Sequence, residues 1–440
     1  MRTLATLLFV GILSVAAVGQ SAIDAVASQA SLVTEMDVNG IKVLLKRRPN
    51  SATVAGGLFI KGGARNITDK NAGIERLMLL TAVEASNALP RETVRRELSG
   101  SGSAIGVGAS HDYSAVSLGT TKPDFDRVFD IFSKVLIDPK FSEEDLKRIK
   151  DQMLTGLREN NAVPEGALDS LQDKIIYAGH PYANDVNGTP ATLSPITVAD
   201  VKAYHKSMME TSRLLFVFVG DIDPAQLKSK ITQTFGRLPK GAYKDAVYPA
   251  IDFSKGTLDV SQRALPTNYV KGVFAAPSIG NPDYYAMEVA MSILQALVYQ
   301  EVRDKLQLSY APGADLGSFA ANTANISVST TNPDRAVSAM VDQIRFLQQR
   351  DLNPLIIEEV AANFLMQHYI KQETSAAQVG ELAKYELIGG GWRNSFQFLN
   401  GVRSVKPDDI RMVANKYMKN IRYVYVGDPA AFTRSNFVTD

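Results

Sequence analysis

The feature that most constrains this chain's fold is that it ends the same way twice. "ITVADVKAYHKSMMETSRLLFVFVGDIDPAQL" reads as a threonine-capped helix followed by an apolar strand that finishes in Val219-Gly220-Asp221. "VKPDDIRMVANKYMKNIRYVYVGDPAAF" repeats that order and finishes in Val426-Gly427-Asp428. A period of roughly 200 residues marks a domain duplication, because solenoid repeats run to only about 20–50. Between the copies, residues 236–256, "GRLPKGAYKDAVYPAIDFSKG", are rich in Pro, Gly, Lys and Tyr and read as an interdomain linker. The expected layout is a first domain over 30–240, a linker over 241–256 and a second domain over 257–440.

The openings of the two halves fit that scheme. "NGIKVLLKRRPNSATVAGGLFIKGGARN" reads strand, turn, strand, and "ALPTNYVKGVFAAPSIGNPDYYAMEVAMSIL" reads strand, turn, helix. Residues 125–160 give a helix pair, broken at Asp138-Pro139 and recapped by Ser142. Strands and long amphipathic helices mix within each half, which is the α+β class.

Composition removes several function classes. Forty-seven basic residues nearly cancel 46 acidic ones, so nothing draws the whole chain toward nucleic acid or an anionic membrane. There is no cysteine, which excludes disulfides, thiolate zinc sites and cysteine nucleophiles. Residues 1–22, "MRTLATLLFVGILSVAAVGQSA", have one arginine, an apolar run over Leu4–Val18 and then small residues. That is the layout of a signal peptide cleaved after Gly19 or Ala22, with an uncleaved anchor as the alternative. The expected location is periplasmic or secreted, with no further membrane span.

"NAGIERLMLL", Asn71–Leu80, follows a strand and a glycine-rich turn and reads as the start of a buried helix, with Ile74, Leu77 and Met78 at helical spacing. With the duplication, this arrangement resembles the insulinase/pitrilysin-type metallopeptidases, which include the mitochondrial processing peptidases, over about Leu32–Phe432. The resemblance implies two homologous domains in tandem, each a mostly antiparallel sheet packed by helices, together forming half of a clamshell. An active chain of that family carries HxxEH on this helix and a glutamate on a later one. Two histidines at i and i+4 bind zinc, and the glutamate between them acts as base on the zinc-bound water.

Registered on Gly73, the histidine positions fall on Arg76 and Leu80, the base on Leu79 and the distant glutamate on Gly156. A guanidinium repels a cation and leucine has no lone pair. The four histidines, His111, His180, His205 and His368, form no i, i+3 or i, i+4 pair. No metal or other cofactor is expected in this chain, and the resemblance assigns zinc to a partner.

A second family feature is kept. The family pattern E-x-R-x-x-x-G-L-x-Y is met by Glu301, Arg303, Leu308 and Tyr310, with Gln307 where glycine is usual. The resemblance implies that Arg303 and Tyr310 stabilise charge on a scissile carbonyl oxygen in a partner's site. It also implies that Ser103, Ala104, Ile105, Gly106 and Val107 form an edge strand to which a peptide can add; a small-residue strand packed on helices explains them equally well. The expected function is the zinc-less subunit of an exported heterodimeric metallopeptidase that degrades small or unfolded peptides with an HxxEH sibling. A catalytically silent peptide-binding or scaffold protein of the same fold is the alternative.

Overall fold

The computed structural model describes residues 23–438; the expected signal peptide, residues 1–22, lies outside them. After a short helix over residues 23–28 (α1), the first half runs β1 (Val33–Val38), β2 (Ile41–Arg47), β3 (Thr53–Lys61), α2 (Ile74–Ala82), α3 (Arg91–Gly100), β4 (Ala104–Ala109) and β5 (Tyr113–Thr121). It continues with α4 (Phe125–Ile137), α5 (Glu143–Ala162), α6 (Pro164–Ile176), the single turn α7 (Pro190–Leu193), α8 (Val198–Met208), β6 (Leu214–Gly220) and α9 (Pro224–Gln233). The second half runs β7 (Thr257–Gln262), β8 (Asn268–Ala275), α10 (Tyr284–Val298), a π-helical segment (Tyr299–Lys305), β9 (Gly313–Leu316) and β10 (Thr323–Thr330). It closes with α11 (Pro333–Gln349), α12 (Leu355–Gln372), α13 (Ser375–Ile388), α14 (Phe398–Ser404), α15 (Pro407–Tyr417) and β11 (Arg422–Gly427).

The duplication is visible in the sheets. The first has the order β1-β2-β6-β3-β5-β4 and the second β7-β11-β8-β10-β9, so removing β1 makes the two orders equivalent. In each, one pair is parallel, β2 with β6 and β7 with β11, and the rest are antiparallel. The caps read from the sequence are in place. Thr197 and Asp200 form a reciprocal capping box on α8, and Ser142 accepts from the Asp145 N–H at 3.1 Å to start α5.

Each sheet is buried on both faces, and the halves exchange helices to achieve it. One face of the first sheet (Val43, Leu45, Leu58, Phe216) packs on α2, α4, α5 and α8. Its other face (Leu44, Phe59, Leu215, Val217) packs on Val379, Leu382 and Ala383 of α13, from the second half. The second sheet reciprocates, with Val273, Val424 and Val426 covered by Ala167 and Leu168 of α6, from the first half. Burial on both faces explains why β6, "LLFVFVG", is apolar throughout instead of alternating. The segment 241–253 forms no helix or strand. Helix α1, which the sequence reading left out of the first domain, packs Ile23 and Val26 on Leu399 of α14.

Candidate functional site

Helix α2 begins at Gly73, in left-handed backbone at φ +85°, where a Cβ would stand 2.7 Å from the Cα of Gly188. That contact fixes the register of everything after it. Leu79, at the base position, is 1% exposed in the core of the first half, and Leu80 packs against the same core. Arg76 is half-buried and donates from Nη1 to Oδ1 of Asn187. Asp185 stands nearby: burial raises its carboxyl, while hydrogen bonds from Asn187 and the Arg76 charge pull it back. The position that the resemblance gives to the first histidine therefore carries a guanidinium tied to the loop before α7.

Helix α2 also carries an acid, which the sequence sets beside no histidine. Glu75 is buried and accepts from the Tyr204 hydroxyl at 2.7 Å on Oε2, while Oε1 has no partner among the described residues. Burial pushes its pKa up, partly offset by hydrogen bonding and by Arg213. It serves α8, not a metal. Gly156 lies on the exposed side of α5, with no atom within 4 Å of the place its Cβ would occupy. Among the described residues no group of three or more His, Cys, Asp or Glu is placed to hold a metal ion. Three of the four histidines make contacts within the fold: His180 and His205 bond the carbonyls of Pro249 and Leu136 at 3.1 and 2.7 Å, and His111 stacks on Tyr182, while His368 lines a cavity beside α12.

Arg303 and Tyr310 come together. The Arg303 guanidinium carbon stands 4.2 Å from the centre of the Tyr310 ring and 4.7 Å from that of Tyr299, a residue the sequence reading did not single out. Tyr299 sits one helical turn before Arg303, a spacing at which side chains meet. The guanidinium is sandwiched between two aromatic faces, which fixes its plane. It has no hydrogen bond or ion pair among the described residues, and neither does the Tyr310 hydroxyl. Tyr310 is 79% exposed, so it is neither a core residue nor part of the following strand, β9.

The backbone that presents the pair is irregular. Helix α10 loosens into the π-helical segment at Tyr299, a form common at functional sites. Gln307 then takes φ +54°, the left-handed conformation glycine adopts at least cost. That turn lets the Leu306 N–H bond Glu301 O at 3.0 Å and the Leu308 N–H bond Val302 O at 2.8 Å. Gln307 thus makes the turn expected of the family's glycine, with some backbone strain.

The segment 103–107 runs into β4, which is the edge of the first sheet and, among the described residues, pairs only with β5. Ile105 and Val107 pack inward, Ala104 and Gly106 are exposed, and Ser103 precedes the strand, its hydroxyl donating to Thr120 at 2.9 Å. No hydrogen bond, ion pair or ring contact links this edge to the Arg303–Tyr310 pair.

Comparison with known proteins agrees with this geometry. Residues 42–190 match the family described as insulinase (peptidase family M16), and residues 195–364 match the peptidase M16 inactive domain. The β subunit of the mitochondrial-processing peptidase of Saccharomyces cerevisiae is 18% identical over 427 residues, covering 91% of this chain and 92% of that protein. The "Non-peptidase homolog YmxG" of Helicobacter pylori is 24% identical over 228 residues, covering 51% of this chain and 52% of that protein. A solved peptidase M16 inactive domain from Pseudomonas fluorescens superposes with a TM-score of 0.82 at 20% identity, covering 90% of this chain and 98% of that one. With both family models matched in tandem on two equivalent sheets, the chain belongs to the insulinase family, peptidase family M16, as an inactive member.

Proposed function

We propose that this chain is the zinc-less subunit of an exported heterodimeric peptidase. In this reading a sibling carrying HxxEH supplies zinc and the general base, and this chain supplies Arg303, Tyr310 and part of the chamber wall. The observation that carries the reading is that a guanidinium held between two tyrosine rings and a 79% exposed tyrosine keep their donors free. Peptide hydrolysis builds negative charge on the scissile oxygen, and preorganised donors aimed at that charge lower the barrier without reorganising. Small or unfolded peptides are the substrates, with the open edge of β4 available to add their backbone as a strand. Export through residues 1–22 and a domain boundary within 241–256 belong to the same proposal.

The test begins with recovery of the tagged chain from the extracytoplasmic fraction and mass spectrometry of what accompanies it. A near-stoichiometric HxxEH sibling is expected. In the reconstituted pair, Arg303→Ala lowers kcat by about 10²–10³, the effect of losing one oxyanion donor. Unaltered turnover overturns the role of Arg303. Recovery of the chain alone supports the second reading, a silent peptide-binding or scaffold protein, which its likeness to a non-peptidase homolog favours.

A further inference from the structure

Between the first sheet and the helices of the second half lies a cavity of about 630 Å³. Tyr113 of β5 closes one side, and α10, α12 and α13 supply most of the rest. Its wall on α13 is built small: Gly380 lines it, and a Cβ there would meet nothing within 4 Å. Neither Arg303 nor Tyr310 reaches it.

The charges in this cavity are unusual in how they are satisfied. Glu288 on α10 accepts from the Tyr284 hydroxyl at 2.6 Å, and Glu381 on α13 accepts from the Gln372 amide. Both carboxylates are held by neutral donors. Lys371 and Lys384 line the same space, and among the described residues neither has a carboxylate within 4.0 Å. Burial raises the pKa of both acids and lowers that of Lys384. Two glutamates and two lysines thus share one volume, which Asp315 and His368 also line, with no close ion pair among the four; Glu288, Glu381 and Lys384 are partly buried and Lys371 is exposed. A polyanion would be repelled by the glutamates and a polycation by the lysines. A ligand that bears both signs, spaced apart, satisfies all four.

We propose that this cavity binds a zwitterion, a free amino acid or a short peptide with both termini free. The ammonium points to Glu288 and Glu381 and the carboxylate to Lys371 and Lys384. The volume suits a ligand of a few residues, within the 300–1,000 Å³ of ordinary ligand pockets.

Calorimetric titration of the purified chain with trialanine, its N-acetylated form and its C-terminal amide tests this. Trialanine binds, and blocking either terminus weakens binding by at least about ten-fold. Lys384→Met and Glu288→Gln each abolish the heat of binding, while Arg303→Ala leaves it unchanged. Gly380→Leu, which fills the open wall without altering charge, also abolishes it, and a thermal melt of each variant establishes that it is folded. No heat from trialanine up to about 10 mM overturns the proposal. So does equal binding of the blocked peptides, the behaviour of a peptide held by its backbone along β4. Binding lost in Arg303→Ala but kept in Lys384→Met also overturns it, without touching the proposed peptidase role.

Discussion

His111 makes the stability of this protein depend on pH in a way that one substitution isolates. Its ring lies against Tyr182 at 4.5 Å between centroids and edge-on to Tyr177 and Phe319 at 5.8 and 5.5 Å. Its Nδ1 is buried with no hydrogen-bond partner among the described residues. Burial, with a smaller contribution from His180, pushes its pKa down to about 4 from 6.5. A folded pKa below the unfolded one means that the unfolded chain takes up the proton first, so stability is full above pH 6.5 and falls as the pH drops toward 4. At pH 5 the loss is RT ln[(1 + 10^1.5)/(1 + 10^−1)], from 6.5 − 5 for the unfolded chain and 4 − 5 for the folded one, or about 2 kcal/mol. His111→Phe keeps the ring contacts, and the backbone carbonyl of residue 111 still accepts from the Tyr248 hydroxyl at 2.6 Å. The variant therefore loses about 2 kcal/mol less than the parent between pH 8 and pH 5. At roughly 2.1 cal/mol/K per residue of unfolding entropy, that is about 2 °C in thermal midpoint for a chain of this size. The assay is a melt of both proteins at each pH. Equal displacement of the two midpoints refutes the reasoning, because the other titrating groups are common to both chains.

Two further outcomes follow from the degenerate site and its surroundings. Leu79→Glu, which restores the family's base residue, places a carboxylate at a core position 1% exposed; it costs more than about 3 kcal/mol, and a denaturant midpoint within about 1 kcal/mol of the parent's contradicts the packing role of Leu79. Gln307→Gly removes a side chain from a φ of +54°; the expected gain is about 0.5–1 kcal/mol in the same measurement, and a loss shows that the side chain of Gln307 contributes more than its backbone costs.

Much of the fold was legible because the same signals occur twice. The Val-Gly-Asp strand ends, the threonine cap of α8 and the Asp138-Pro139 break between α4 and α5 are local chemistry, and each is where the sequence places it. The exchange of α6 and α13 was not legible, because helices covering their own sheet or the other half's carry the same apolar stripe. Their destination shows only in which strand faces they bury. The setting of Glu75 was not legible for a related reason: in the sequence it is an acid in the first turn of a helix with no histidine beside it, and only the fold places it beside Tyr204 with one oxygen unpartnered among the described residues. Tyr299 could have been found, since it stands one turn before Arg303.

The site also explains what this chain kept and what it lost. A zinc site is costly to retain without its metal, because buried imidazole and carboxylate groups must then find other partners. Leu79 removes that cost by packing, and Arg76 removes it by reaching the Asn187 amide. Arg303 and Tyr310 carry no such cost. Tyr310 is exposed to water and the guanidinium rests between two rings, so their free donors need no internal partner to be tolerated. Folding stability alone therefore favours losing the metal ligands but is nearly indifferent to the Arg303–Tyr310 pair. What stability does oppose is the backbone that presents the pair, with its π-helical segment and a glutamine at positive φ. That strain is held beside a half-buried arginine and an exposed tyrosine whose donors have no partner among the described residues, so no contact within the fold offsets it.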